Sequence, residues 1–304
     1  MDNSIMILSG KLMSFRLVIC FALMTLGLSA CGSDKGKEPE TALANKVLDE
    51  QENPGAAADK LYNEATDALE SEKYEEAARL YEELERQYPY SRWATESQLM
   101  AAYAIYSIPD YTRAILALDR FIELHPGNED VDYAHYLKAL SHYEQISGVK
   151  RDQSRTRAAL ESLNTVIRRF PNSEYARDAR FKRDLTLNHL AGKEMEVGRF
   201  YLRQKQVHAA INRFKNVVEN YQTTTHVPEA LHRLVESYRM LGLEGEAKRV
   251  AAVLGYNYPG SKWYEYSYRL FDEDELKRLM ENKSWMASTL DSLFPNSSEE
   301  NPVK

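Results

Sequence analysis

The stretch RAILALDRFIELHP, Arg113–Pro126, carries Ala114, Leu118 and Phe121 at intervals of four and three residues and ends on a proline. That spacing lays three side chains along one face of an α-helix, and the proline, which restricts the residue before it, closes the helix. The arrangement recurs. Counting back twelve residues from Pro89, Pro126, Pro171, Gln222 and Pro259 gives five alanines: Ala77, Ala114, Ala159, Ala210 and Ala247. Counting back eight gives Tyr81, Leu118, Leu163, Phe214 and Ala251, and counting back five gives Leu84, Phe121, Val166, Val217 and Leu254.

Each of these helices has a partner upstream, marked by a small residue: Ala65, Ala102, Ala139, Gly198 and Val235. The distance to the closing residue is 24 in every case but that of Ala139, where it is 32, so eight extra residues separate the helices there and GVKRDQSR, Gly148–Arg155, reads as their loop. Fourteen extra residues precede Gly198, which predicts a helix lengthened by about four turns through YARDARFKRDLTLNHL. Beneath both insertions the period is 37 residues. A small residue on each of two antiparallel helices lets their axes approach, and a bulkier one at +4 fills the gap. The pattern resembles tetratricopeptide repeats, which implies an all-α, right-handed α-solenoid of five repeats over residues 58–262. Ser91, Ser173 and Ser261, two residues past three of the closing prolines, are expected to cap the following helices.

The remaining residues frame this body. Lys11 and Arg16 precede the apolar run LVICFALMTLGL, a basic start with an apolar core too short to span a bilayer, so residues 1–30 read as a secretory signal, translated from Met1 or Met13. An ordinary cleavage before Cys31 fits poorly because Leu28 stands at −3; the alternative is a small-x-small site at Ala30-Cys31-Gly32, which would release the protein into the periplasm. Leu28, Ser29, Ala30 and Cys31 resemble the bacterial lipobox, which implies diacylglycerol on the Cys31 thiol and an N-acyl chain such as palmitate on its amine. With roughly 0.8 kcal/mol per buried CH₂, three chains would moor a soluble body to a membrane. Gly32 after that cysteine resembles an outer-membrane address. Residues 31–57, polar and broken by Pro39 and Pro54, read as a flexible tether, and about 25 such residues reach on the order of 25–30 Å. Residues 263–304 read as a helical extension with a frayed tail, in which Trp263 and Trp285 cap the open end of the solenoid.

The composition excludes several functions. A net charge of −7 denies the chain the electrostatic footprint of a nucleic-acid binder. Phosphate-binding, zincin and serine-nucleophile motifs are missing, and Cys31, if acylated, is no nucleophile, so the reading is a protein that is not an enzyme and holds no cofactor beyond its lipid. His135 and His142 lie one heptad apart, but Lys138 between them argues against a metal and for a solvated or partner-facing stripe. In a helical solenoid the first helix of each pair lines the concave side. The inward candidates are Asp59, Tyr62 and Thr66, then Glu96, Leu99, Tyr103 and Tyr106, then Tyr133, Tyr136, Leu140 and Tyr143. Tyrosines with apolar faces and polar tips suit varied peptide segments, although rings at these positions can equally pack between repeats.

RQYPYSRWA, ALDRFIELHPGNEDVDYAHYLKAL, RRFPNSEYARDA, INRF and EAKRVAAVLG, across about residues 58–256, resemble the BamD (ComL/YfiO-type) family of outer-membrane assembly lipoproteins. The resemblance implies a scaffold at the periplasmic face of the outer membrane that binds BamA, other subunits of the β-barrel assembly machinery and unfolded outer-membrane proteins. It implies that repeats 3 to 5 face BamA, with Arg213 of INRF matching a sensitive arginine, and that repeats 1 and 2 hold substrate C-terminal signals or a partner lipoprotein. The 263–304 extension and the short loop after Gly148 depart from the family's enterobacterial members. The competing reading is a lipoprotein scaffold for peptidoglycan or division machinery.

Overall fold

The computed structural model describes residues 54–271, 278 and 280–293, and among them every regular element is an α-helix. Helices α1 (Pro54–Glu70) and α2 (Tyr74–Gln87), α3 (Ala94–Ser107) and α4 (Tyr111–Leu124), α5 (Val131–Tyr143) and α6 (Ser154–Arg169), α7 (Tyr175–Arg203) and α8 (Val207–Asn220), and α9 (Val227–Met240) and α10 (Glu244–Asn257) form five hairpins. Helices α11 (Lys262–Tyr268) and α12 (Lys283–Leu293) follow. Each helix of the hairpins packs on its sequence neighbours, and α5 also touches α3 and α7, so first helices form one row and second helices another. This is the expected all-α stack of tetratricopeptide-like hairpins. The signal, Cys31 and most of the tether lie outside the described residues. Helix α1 starts at Pro54, inside the stretch assigned to the tether. Proline is suited to a first helical turn, where its missing N–H would have no partner anyway.

The repeat columns form the core. All five column alanines have 0% exposure, as do Ala65, Ala102, Ala139 and Val235. At Gly198 the approach is closest: a Cβ there would stand 2.4 Å from the ring of Phe214. Tyr81, Leu118, Leu163, Phe214 and Ala251 fill the adjoining space and are themselves fully buried. Turns between the two helices of repeats 1, 4 and 5 close alike: Lys73 N–H donates to Ala68 O, Gln206 N–H to Tyr201 O and Leu243 N–H to Tyr238 O. Such six-residue closures require a left-handed residue, here Glu72 (φ 60°), Lys205 (φ 59°) and Gly242 (φ 74°).

The two insertions are one feature. The loop before α6 tucks Gln153, 4% exposed, against the added turns of α7. Its amide donates to Arg151 O at 2.9 Å, and its Oε1 accepts from Thr156 Oγ1 at 3.1 Å and meets His189 Nδ1 at 3.1 Å. Lys193 Nζ donates to Lys150 O at 3.1 Å, and Gly192 is flanked by Val149 and His226. The eight residues added to repeat 3 therefore cover part of the turns added to repeat 4.

The caps differ from expectation in part. Ser261 caps α11, accepting from Trp263 N–H at 3.2 Å. Ser173 accepts from Tyr175 N–H, but Glu174 is the cap residue; the Ser91 hydroxyl is buried without a partner, and Trp93 opens α3. The same backbone turn follows all three prolines, Ser91 N–H to Tyr88 O, Ser173 N–H to Phe170 O and Ser261 N–H to Tyr258 O, but the helices begin at Ala94, Tyr175 and Lys262, so only Ser261 stands directly before its helix. Asp110, by contrast, caps α4 through Arg113 N–H at 3.1 Å.

Helix α11 packs on α9 and α10, and α12 on α8 and α10. Tyr264 lies so close to Gly255 that a Cβ there would meet its ring at 2.5 Å. Trp263 and Trp285 both pack against the core shared by repeats 4 and 5, alongside buried Met286 and Leu293.

Candidate functional site

The row of first helices is joined by an aromatic seam. Trp93, Tyr175 and Trp263 each stand four residues after a closing proline. Each meets an aromatic ring on the first helix before it. Trp93 stacks on Tyr62 with centroids 4.1 Å apart, Tyr175 on Tyr136 at 5.0 Å, and Trp263 lies 5.3 Å from His232. Polar bonds run along the same seam: Tyr62 OH donates to Glu96 Oε1 at 2.7 Å, Tyr136 OH to Asp178 Oδ2 at 2.5 Å, and His232 Nδ1 lies 2.8 Å from Ser267 Oγ. Trp93 Nε1 and Arg92 Nη2 both donate to Asp59, and the Trp93 bond first, then Arg92, hold that carboxyl below its usual range.

This seam corrects half of the expected groove. Tyr62, Tyr133 and Tyr136 are buried, at 6%, 7% and 4% exposure, and their rings fill the joints between repeats. Leu99, Thr66 and Leu140 are buried too. First helices are enclosed by their own partner helix and by neighbours on both sides, so the tyrosine period runs through buried faces as well as the open one. Tyr103, Tyr106 and Tyr143 remain half-buried at the surface. Tyr106 lies 5.7 Å from Tyr111, and the Lys182 ammonium sits 5.5 Å from the ring of Tyr143. Burial, and then the nearby phenols of Tyr103, Tyr175 and Tyr106, raise the Tyr133 pKa, keeping its hydroxyl protonated. Trp93 and Tyr175 were not foreseen in this role; their common offset from the closing proline is the signal that would have found them.

Arg213 lies apart from that row. It is on α8, half-exposed, with Nη1 3.1 Å from Glu194 Oε2 of α7. Beside it is a shallow concavity of about 420 Å³ lined by Tyr201, Asn212, Asn216 and Glu219. His135 is not part of a solvated stripe, whereas His142 is half-buried. His135 is 8% exposed, and Arg169 Nη1 lies 3.0 Å from its Nε2, so the ring is neutral and accepts. Burial first, then Arg169 and Lys138, bring its pKa down to about 4. The described residues hold no cluster of metal-ligating side chains and no helix long and apolar enough to cross a membrane.

Residues 54–254 match the family model YfiO, described as outer membrane lipoprotein. The chain is 46% identical over 263 residues to the outer membrane protein assembly factor BamD of Caulobacter vibrioides, covering 86% of this chain and 83% of the relative. It is 53% identical over 210 residues to the protein of that name in Rickettsia prowazekii, covering 69% and 84%. With that of Neisseria gonorrhoeae it shares 35% identity over 254 residues, covering 80% and 92%.

Proposed function

This chain belongs to the YfiO family of outer membrane lipoproteins and is an assembly factor of the outer-membrane machinery, and from that premise we propose that it acts by holding two partners on two faces of its helical stack. The face of Tyr103, Tyr106 and Tyr143 takes segments of unfolded outer-membrane proteins. The second-helix face around Arg213 meets BamA. Cys31, carrying diacylglycerol and an N-acyl chain, moors the body at the periplasmic face of the outer membrane, and the tether lets it stand clear of the headgroups.

The observation that supports the substrate face is the half-exposure of those three tyrosines beside a seam whose other rings are buried. Half-exposed phenols present an apolar ring and a polar tip at little cost in side-chain entropy, and so accept aromatic segments of varied sequence. No turnover is involved: positioning alone is the contribution, as in a scaffold. Photo-crosslinking in cells tests the assignment. A crosslinker at Tyr103 is expected to trap nascent outer-membrane proteins and one at Arg213 to trap BamA; the reverse pattern, or capture of division or peptidoglycan enzymes at both, would overturn it. Mass spectrometry of the mature protein is expected to find an acylated Cys31 as its first residue.

A further inference from the structure

The face of α7 that meets the residues leading into α9 and its first turn runs on past the N-terminal end of α9. Asn188, Gly192 and Arg199 are spaced by four and seven residues, so they share one helical face. Asn188 Oδ1 accepts from Thr225 N–H and Oγ1 at 3.2 and 2.9 Å, Gly192 faces His226, and Arg199 Nη1 donates to Glu229 at 2.9 Å. Helix α9 starts only at Val227, opposite the middle of the 29-residue α7. Seven residues before Asn188 on the same face stands Phe181, with Leu185 beside it; they are 61% and 43% exposed. Arg177, one turn before Phe181, and Arg180 are exposed next to them. The opposite face, with Ala176, Ala179, Thr186 and Leu190, is buried.

We propose that this uncovered half-lane of α7, centred on Phe181 and Leu185, docks an acidic amphipathic helix from a partner protein, laid end-on to α9. The added turns of α7 create a seat that this chain fills along only half its length. Continuity with the contacts of Asn188, Gly192 and Arg199 to Thr225, His226 and Glu229, which lead into the first turn of α9, gives the occupant its direction. An apolar pair spaced four residues apart matches the i, i+4 teeth of an amphipathic helix. The charge sets its sign: Lys182 is paired with Asp178 and Arg183 with Asp184, whereas Arg177 has no ion pair among the described residues and Arg180 donates only to Pro171 O. The site is distinct from the tyrosine face and from Arg213, and does not rest on either assignment.

The full-length protein is titrated with three labelled 18-residue peptides: a Leu/Glu amphipathic helix, its Leu/Lys counterpart, and a scrambled Leu/Glu sequence. The Leu/Glu helix is expected to bind at least tenfold more tightly than the other two. The double variant Phe181→Ser, Leu185→Ser is expected to lose that preference without a change in melting, since both side chains are exposed, and Arg177→Ser to weaken its salt dependence. Equal binding of the three peptides, or the same preference in the double variant, overturns the proposal. So does a wild-type dimer in sedimentation equilibrium that the double variant dissolves, because a second copy then covers the lane.

Discussion

A single carbon matters at Gly198, where the ring of Phe214 occupies the space a Cβ would need. Gly198→Ala forces the ring or the helix axes to shift, and the expected loss is about 1–3 kcal/mol in urea denaturation. The opposite change is expected at Lys205, whose φ of 59° puts a side chain in left-handed space. Lys205→Gly relieves that strain and is expected to raise stability by up to about 1 kcal/mol, net of glycine's greater entropy when unfolded. His135 adds a pH dependence. Its pKa in the fold is about 4, against 6.5 for an unperturbed ring. Above pH 6.5 neither folded nor unfolded ring is charged; below it the unfolded chain binds a proton the folded one refuses. Stability therefore falls as pH drops from about 6.5 to 4, by up to ~1.4 kcal/mol per pH unit for this residue. His142, His189 and His226 are shifted the same way, chiefly by burial, and steepen the fall. His135→Gln keeps an acceptor for Arg169 but cannot titrate; an unchanged slope of stability against pH in this variant would exclude the assignment.

Among elements, the buried face of the second helices was legible, and that of the first helices only at their small residues. Helices α2, α4, α6 and α8 each bury one stripe, so a column of alanines followed by large residues at +4 and +7 names their core face outright. Helix α5 buries nine of its thirteen residues, including Tyr133, His135 and Tyr136, because it is packed on several sides. Periodicity cannot tell a free face from a joint when both are apolar or aromatic. Periodicity therefore places Tyr62, Tyr133 and Tyr136 in the groove and carries no sign that Trp93 and Tyr175 bury them. The contact between the two insertions is hidden for a related reason: spacing shows where residues are added, not that Gln153 and His189, 36 positions apart, will meet. Gln153→Ala leaves Thr156 Oγ1 and His189 Nδ1 without their shared acceptor, at a cost of about 1–3 kcal/mol. Hydrogen exchange is expected to quicken in residues 148–156 and along the middle of α7 while α1 and α2 keep their protection. Uniform quickening across all helices would mean the loop is not a local latch.

At the scale of the described body, stability is a chain of nearest-neighbour joints, and the last joint is held by the extension. In a stack of repeats each unit rests on the next, so the final hairpin needs a cover or it opens first. Here Trp263, Tyr264 and Met286 lie on the core formed by Leu234, Val253 and Leu254, and Ser267 meets His232, which is itself 5% exposed. Removing residues 262–304 would uncover that apolar surface and leave the buried His232 ring short of a partner. The loss is expected to be graded along the stack. Exchange protection in α9 and α10 falls most, that in α7 and α8 less, and that in α1 to α4 stays as it was, with the main melting transition preceded by a smaller, earlier one. The arrangement also separates duties: the tyrosine face of repeats 2 and 3 keeps its shape while the far end is loosened. If the truncated protein instead melts in one transition with protection lost evenly from α1 to α10, the five hairpins are a single cooperative body, and a partner bound at one end would be felt at the other.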